Sequence, residues 1–346
     1  TGPQNPITLS TPSGGPFVTF DVNRASGTST GNTIFLGTID HVPATQINVT
    51  GGNGYKLGFT EWRIERKEGF FINTLSADVV AALVTNIPGE TRQIVKRGPR
   101  TLTINAMTLT TQSALDDEMR MTVEEGLFTV AGPIASVSSS TSAPDIKLAK
   151  QGPGVLRLLG DNTNFRGDTV LRTGTIQVGH DSALGTGKLI LDGGALQAFG
   201  GPRTLANSAE LRATAAIVGD EDLTLAGDLT VGPVSTGLYT LSVSNSGVTT
   251  LGGRVIIGPP GTILYRELSI DVAASATVVI ATNGVRNLGN GSNMTFSKTG
   301  PGVVQLVAGI TNTHNITTLV KGVLQTLGPH VLPPTSQLPV PARGTR

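Results

Sequence analysis

The chain has 346 residues, with 45 Gly, 20 Pro, no Cys, 14% charged and 4% aromatic residues, and a formal net charge of +1. Without cysteine it has no disulfide, zinc–thiolate site or thiol nucleophile. Its charges of both signs are scattered, so no basic stripe can neutralise a run of phosphates, and nucleic acid is not an expected partner.

The chain opens at Thr1 rather than Met, as a processed product or a fragment does, with no apolar leader segment. Asn5-Pro-Ile-Thr-Leu-Ser and Phe17-Val-Thr-Phe20 read as an extended N-terminal arm. Glu61 to Glu68 alternates in sign and reads as a solvated strand or turn face. Two segments read as short helices: Ser76 to Asn86, with Ser76 as N-cap, and Ser113 to Glu125, with Leu115, Met119 and Val123 at spacing four. Residues 1–130 are therefore expected to form a less regular, β-rich N-terminal region or cap.

From Lys150 to Val307 short alternating runs recur about every 8 to 12 residues, each closed by Gly, Asn or Asp. Examples are Thr175-Ile-Gln-Val, Lys188-Leu-Ile-Leu, Leu229-Thr-Val and Thr277-Val-Val-Ile. That rhythm fits a sandwich, a barrel or a solenoid. Internal repetition selects the solenoid. Lys150-Gln-Gly-Pro-Gly-Val-Leu-Arg-Leu returns as Lys298-Thr-Gly-Pro-Gly-Val-Val-Gln-Leu, and more loosely as Lys96-Arg-Gly-Pro-Arg-Thr-Leu-Thr-Ile. The expected structural turns are Gly152, Pro153, Gly154, Asn162, Gly167 and Gly174 in one copy, and Gly300, Pro301, Gly302 and Gly322 in the other. Residues 131–328 form the expected solenoid, and the Pro-rich 329–346 an arm that cannot join the middle of a sheet. No run of about 18 apolar residues is present, so no membrane-spanning helix is expected.

The search for chemistry returns little. His41, His180, His314 and His330 stand apart, with no metal-binding partner at helical or strand spacing, and read as turn or surface residues. There is no P-loop. Gly219-Asp-Glu-Asp222 reads as a solvated turn rather than a calcium loop. Asn48, Asn290, Asn293 and Asn315 begin Asn-x-Ser/Thr sequons, most of them chance matches in so Asn- and Thr-rich a chain. The acids Asp161, Asp168, Asp181, Asp192 and Glu210 lie beside turn residues. The expectation is no catalytic, cofactor-binding or metal-binding residue. The rival is a β-helix polysaccharide lyase or hydrolase working through carboxylates on one face.

The segment 150–198 resembles the autotransporter-associated β-strand repeat, also called the passenger-associated transport repeat. The resemblance rests on Lys150, Gly152 and Gly154, on Gly160, Asn162, Asn164, Phe165 and Gly167, on Gly174 and Gln177, on Ala183-Leu-Gly185, and on Gly193, Gly194 and Leu196. The copy from Lys298 keeps Asn312, Gly322 and Gln325 but loses the aromatic residue and the Ala-Leu-Gly. Clear resemblance covers residues 145–200 and 288–328. It implies a right-handed parallel β-helix in a secreted or surface-displayed bacterial protein, and no particular activity. The expected function is a non-catalytic extracellular structural protein, either an adhesin or passenger or a self-assembling fibre or surface-layer subunit. The expected partners are other copies, head-to-tail or through terminal arms, and host or matrix polysaccharide.

Overall fold

The computed structural model describes residues 7–8, 17–40, 46–64, 69–86, 92–111, 118–138, 146–232, 237–261, 265–281, 283–289, 294–307, 312–328 and 332. They fall into two compact units, 1–187 and 188–346. Each unit is an all-β parallel solenoid: every described strand pairing is parallel, and each strand pairs with the one a full coil later.

In the first unit one ladder runs through Phe17–Val22, Gln46–Gly51, Phe70–Thr74, Arg92–Arg97, Glu118–Val123, Lys147–Gln151 and Thr169–Leu171. A second runs through Thr33–Asp40, Lys56–Ile64, Asp78–Ala81, Leu102–Ile104, Leu127–Val130, Val155–Leu158 and Thr175–Val178. Lys56–Ile64 is long enough to start a further branch, through Val84–Asn86, Met107–Thr111 and Ile134–Ser138.

The second unit repeats a three-strand coil. Its ladders are Leu189–Leu191 to Val285–Asn287, Ala195–Ala198 to Ile316–Leu319, and Arg203–Leu205 to Val323–Thr326.

The strand period of two puts alternate residues inside, and the parallel register stacks like on like. Leu102, Phe128, Leu156 and Ile176 form one inner column, and Leu205, Leu225, Leu251, Ile280 and Leu306 another, all buried. Burying each such side chain contributes about 1.5–3 kcal/mol, but only a stacked coil provides the second surface that completes the burial. Few aromatic residues are needed for so thin a core. Some of those present cluster: Trp62 lies 5.6 Å from Phe59 and 4.5 Å from Phe70, ring centre to ring centre.

The two expected helices are strands. Within 76–86 the chain forms Asp78–Ala81 and Val84–Asn86, with Val79 and Ala81 inside in register with Leu102 and Ile104. Ser76 caps no helix: its hydroxyl accepts the Gly51 N–H at 3.0 Å and donates to the Gly51 carbonyl at 3.2 Å, tying two coils together. Within 113–125 the chain forms Glu118–Val123, whose Met119, Met121 and Val123 are all buried. A spacing of four satisfies a strand as well as a helix, so Met119 and Val123 could not discriminate; Leu115 lies outside the described residues. Of the charge cluster, Glu61–Ile64 is strand, with Trp62 and Ile64 inside and Arg63 donating to Glu61 at 3.1 Å.

Candidate functional site

A coil that turns tightly leaves backbone carbonyls facing inward with no N–H to receive. Lysine meets that need with three donors on one nitrogen. Lys150 has no exposed surface, and its Nζ donates to the carbonyls of Gln151 at 2.8 Å, Gly152 at 2.6 Å and Thr173 at 3.1 Å. Lys298 repeats the arrangement on Thr299 at 2.5 Å, Gly300 at 2.8 Å and Lys321 at 3.1 Å. Lys96 bonds the carbonyls of Gly98 and Glu125, the latter at 2.9 Å. Each ammonium thus ties its own corner to the next coil. Burial pushes Lys96 and Lys150 down to about 8 and also lowers Lys298, so Lys96 and Lys150 remain charged at neutral pH.

The turn residues divide in two. Gly152 and Gly300 sit in the left-handed region, at φ +77° and +73°, as do Gly174 and Gly322 one coil on. A Cβ on Gly174 would lie 2.5 Å from Lys150 Nζ, and one on Gly322 2.9 Å from Lys298 Nζ, so glycine there clears the ammonium. Gly154, Gly302 and Gly167 do not have positive φ. They are excluded from carrying a side chain by close approach instead: a Cβ would meet Val123 Cγ1 at 2.6 Å, Ala276 O at 2.7 Å and Ile146 C at 2.9 Å respectively. Pro153 and Pro301 lie on the outside of their corners, exposed.

The next corner is organised by asparagine. Buried Asn162 accepts the Ile134 N–H at 2.7 Å and donates to the Ala183 carbonyl at 2.6 Å, spanning three coils. Asn312 likewise accepts the Val285 N–H at 2.7 Å. Phe165 fills the first of these corners, fully buried. In the second the filling group is His314, expected as a turn or surface residue, which lies at the corner but buried. Its Nε2 lies 2.7 Å from Thr317 Oγ1, and its ring meets Phe296 edge-on at 5.9 Å. His180 is a turn residue, its Nδ1 accepting the Ser182 N–H at 3.1 Å; His41 and His330 lie outside the described residues.

Outward residues stack along the coils as well. Arg157 donates to Gln177 at 2.8 Å, Gln305 to Gln325 at 3.1 Å, and Thr204, Thr224 and Thr250 share one column. Glu118 receives Arg172 at 2.5 Å and Arg120 at 2.9 Å. Glu210 receives Lys188 at 2.8 Å and Arg212 at 2.5 Å. Burial raises both glutamates, but hydrogen bonds from the paired cations outweigh it and hold them below the usual carboxylate range. The Arg254 hydrogen bond does the same for Asp228. A carboxylate so held is a poor proton donor near neutral pH. Asp222 accepts the Val248 N–H at 2.7 Å, and Asp161 that of Thr163 at 3.1 Å, so these acids serve turns. Among the described residues no group of three His, Asp or Glu could hold a metal ion.

No family model matches the chain, and no solved structure does. One stretch does have a known counterpart. Over 79 residues, 22% of this chain, it is 43% identical to a protein described as "Adhesin BmaC autotransporter" from Brucella suis biovar 1 (strain 1330). The stretch spans 2% of that protein's length.

Sequence reasoning aligned the three lysines without seeing their role. The signal was present: in every copy the lysine stands two residues before a glycine, and a lysine on the inner side of a strand needs inward acceptors. Arg120 and Arg212 stand two residues after Glu118 and Glu210, a spacing that puts each pair on one strand face, but the pairing of Arg172 with a residue 54 positions away carried no such signal.

Proposed function

We propose that this chain is a non-catalytic segment of a bacterial surface passenger, acting as an adhesin. The observation that carries the reading is the use made of polar groups. Inward ones serve the corners of a parallel coil, and described outward acids such as Glu118, Glu210 and Asp228 are neutralised by neighbouring cations. The match to an autotransporter adhesin supports it. On this reading the outward ladders are the contact surface, and host or matrix polysaccharide is the partner class, since stacked Thr, Gln and Arg side chains present repeated hydrogen-bonding groups along a flat face. The location is extracellular. Fused to an outer-membrane barrel and displayed on a non-adherent laboratory bacterium, the chain should confer adhesion to polysaccharide-coated glass. Display without any adhesion to polysaccharide or protein coatings would overturn the adhesin reading. Polysaccharide cleavage by the purified chain, lost on replacing one carboxylate, would favour the lyase or hydrolase alternative.

A second reading, self-assembly into a fibre, is favoured by the last coil of the second unit. Val320, Val323 and Leu327 are 64%, 50% and 45% exposed, and among the described residues Val323–Thr326 pairs within its sheet with Val303–Leu306 alone. Open sheet edges invite further strands. At the other terminus Ile7–Thr8 pairs with Ile39–Asp40 of its own chain. Deleting residues 1–20, or 329–346, should shorten native particles in sedimentation if terminal arms bridge copies.

A further inference from the structure

His314 is 2% exposed and lies inside the last described coil of the second unit. Among the described residues only one of its ring nitrogens is satisfied: Nε2 faces Thr317, while Nδ1 has no partner of good geometry. The nearby Val285 carbonyl receives the Thr313 N–H at 3.0 Å. A neutral imidazole tolerates this, since one nitrogen carries no proton. An imidazolium must donate from both, and here it would do so in an apolar corner against Phe296.

Among the described residues no buried anion compensates. The strands packed around the ring, Val285–Asn287, Met294–Thr299 and Ile316–Leu319, carry two charged residues, Arg286 and Lys298. Arg286 donates to the Asn283 carbonyl, and Lys298 is buried with its ammonium on three carbonyls. Arg266, in register with Met294, is a third cation, also buried. The carboxylates of the neighbouring strand, Glu267 and Asp271, alternate to the outer face, where Ser297, Tyr265 and Thr299 donate to them.

We propose that His314 is an acid-release plug, whose protonation loosens the terminal coil, residues 312–328, and bares the sheet edges of Met294–Thr299 and Val303–Leu306. Burial pushes the imidazole down to about 4 from an ordinary 6.5, the Val285 carbonyl opposing this only in part. The open coil therefore binds a proton that the closed coil refuses between those values. Closure is at full strength above about pH 6.5, weakens as the pH falls, and reaches its minimum near pH 4. In the equivalent corner of the first unit Phe165 performs the same filling with no titrating group, so that corner is insensitive to acid.

The test is hydrogen exchange on the full chain from pH 7 to pH 4, comparing wild type with His314→Phe at each pH so that intrinsic rates and outer carboxylates cancel. Amides of Ile316–Leu319 and Val323–Thr326 should lose protection on the order of a hundredfold more in wild type than in the variant. Those of Val155–Leu158 should behave alike in both. Equal losses at the terminal coil would overturn the proposal. If His314→Phe does not fold at pH 7, the imidazole is titrated by NMR in the wild-type chain. A midpoint near 4 supports the plug, and one near 6.5 overturns it.

Discussion

The corners at Lys150 and Lys298 lie in different units, yet they place the same atoms in the same relation. In each, an ammonium with no exposed surface donates to carbonyls of its own corner and of the next coil, a glycine at φ above +70° follows two residues later, and another glycine clears the ammonium one coil on. The corner at Lys96 has Arg100 where the others have their last glycine, and keeps the buried lysine and the left-handed Gly98. What the copies share is thus an electrostatic plug and one strained position. The Gly-Pro-Gly string that makes the repeat visible is partly dispensable. The neighbouring asparagine corners differ more: the filling group is Phe165 in one and His314 in the other, with the asparagine hydrogen bond unchanged at 2.7 Å.

These equivalences can be broken by substitution, and the largest effect is expected at the filled corner. Phe165→Ala should destabilise the fold by about 3–5 kcal/mol in urea titration, by loss of transfer energy and the cavity left behind. A cost under 1 kcal/mol would mean that the corner collapses without it. Lys150→Met keeps the volume and removes the ammonium, leaving three inward carbonyls short of a donor, and should cost about 3 kcal/mol. Lys298→Met should cost a similar amount; a neutral result at either site would end the equivalence of the two corners. Gly152→Ala should cost about 1–3 kcal/mol through its left-handed backbone and a clash with the Val123 carbonyl. Gly154→Ala should cost less, because its backbone is unstrained and its nearest neighbour, Val123 Cγ1, is a side chain. A further effect is on pH dependence. With Lys96 and Lys150 at about 8 in the folded chain against 10.5 when unfolded, the unfolded state holds more protons between those values. Stability should therefore rise as the pH goes from about 8 to 10.5 and be level just below 8. Lys150→Met should flatten part of that rise in thermal melts.

Much of the fold was legible because solenoid strands are short, alternate strictly and end at turn residues, as Thr175–Val178 and Thr277–Ile280 do. The repeated Lys-x-Gly-Pro-Gly placed two coils at once. The misread segments were those whose pattern fits either period. Asp78–Ala81 and Glu118–Val123 carry acids and good helix formers beside β-branched residues, and only pairing with adjacent coils decides between strand and helix. The site was less legible than the fold. Turn glycines announce themselves, but a lysine reads as surface until its strand face is known, and His314 reads as isolated because its partners, Phe296 and Thr317, belong to strands on either side of its corner.

The buried ammonium is the element on which this account rests, and amine acylation followed by peptide mass spectrometry tests it most directly. Treated in the folded state at pH 7.5 with a water-soluble acylating reagent, Lys188 and Lys321, both exposed, should react readily. Lys96, Lys150 and Lys298 should stay unmodified until the chain is unfolded. Acylation of Lys150 and Lys298 at the same rate as Lys321 would contradict the lysine corners.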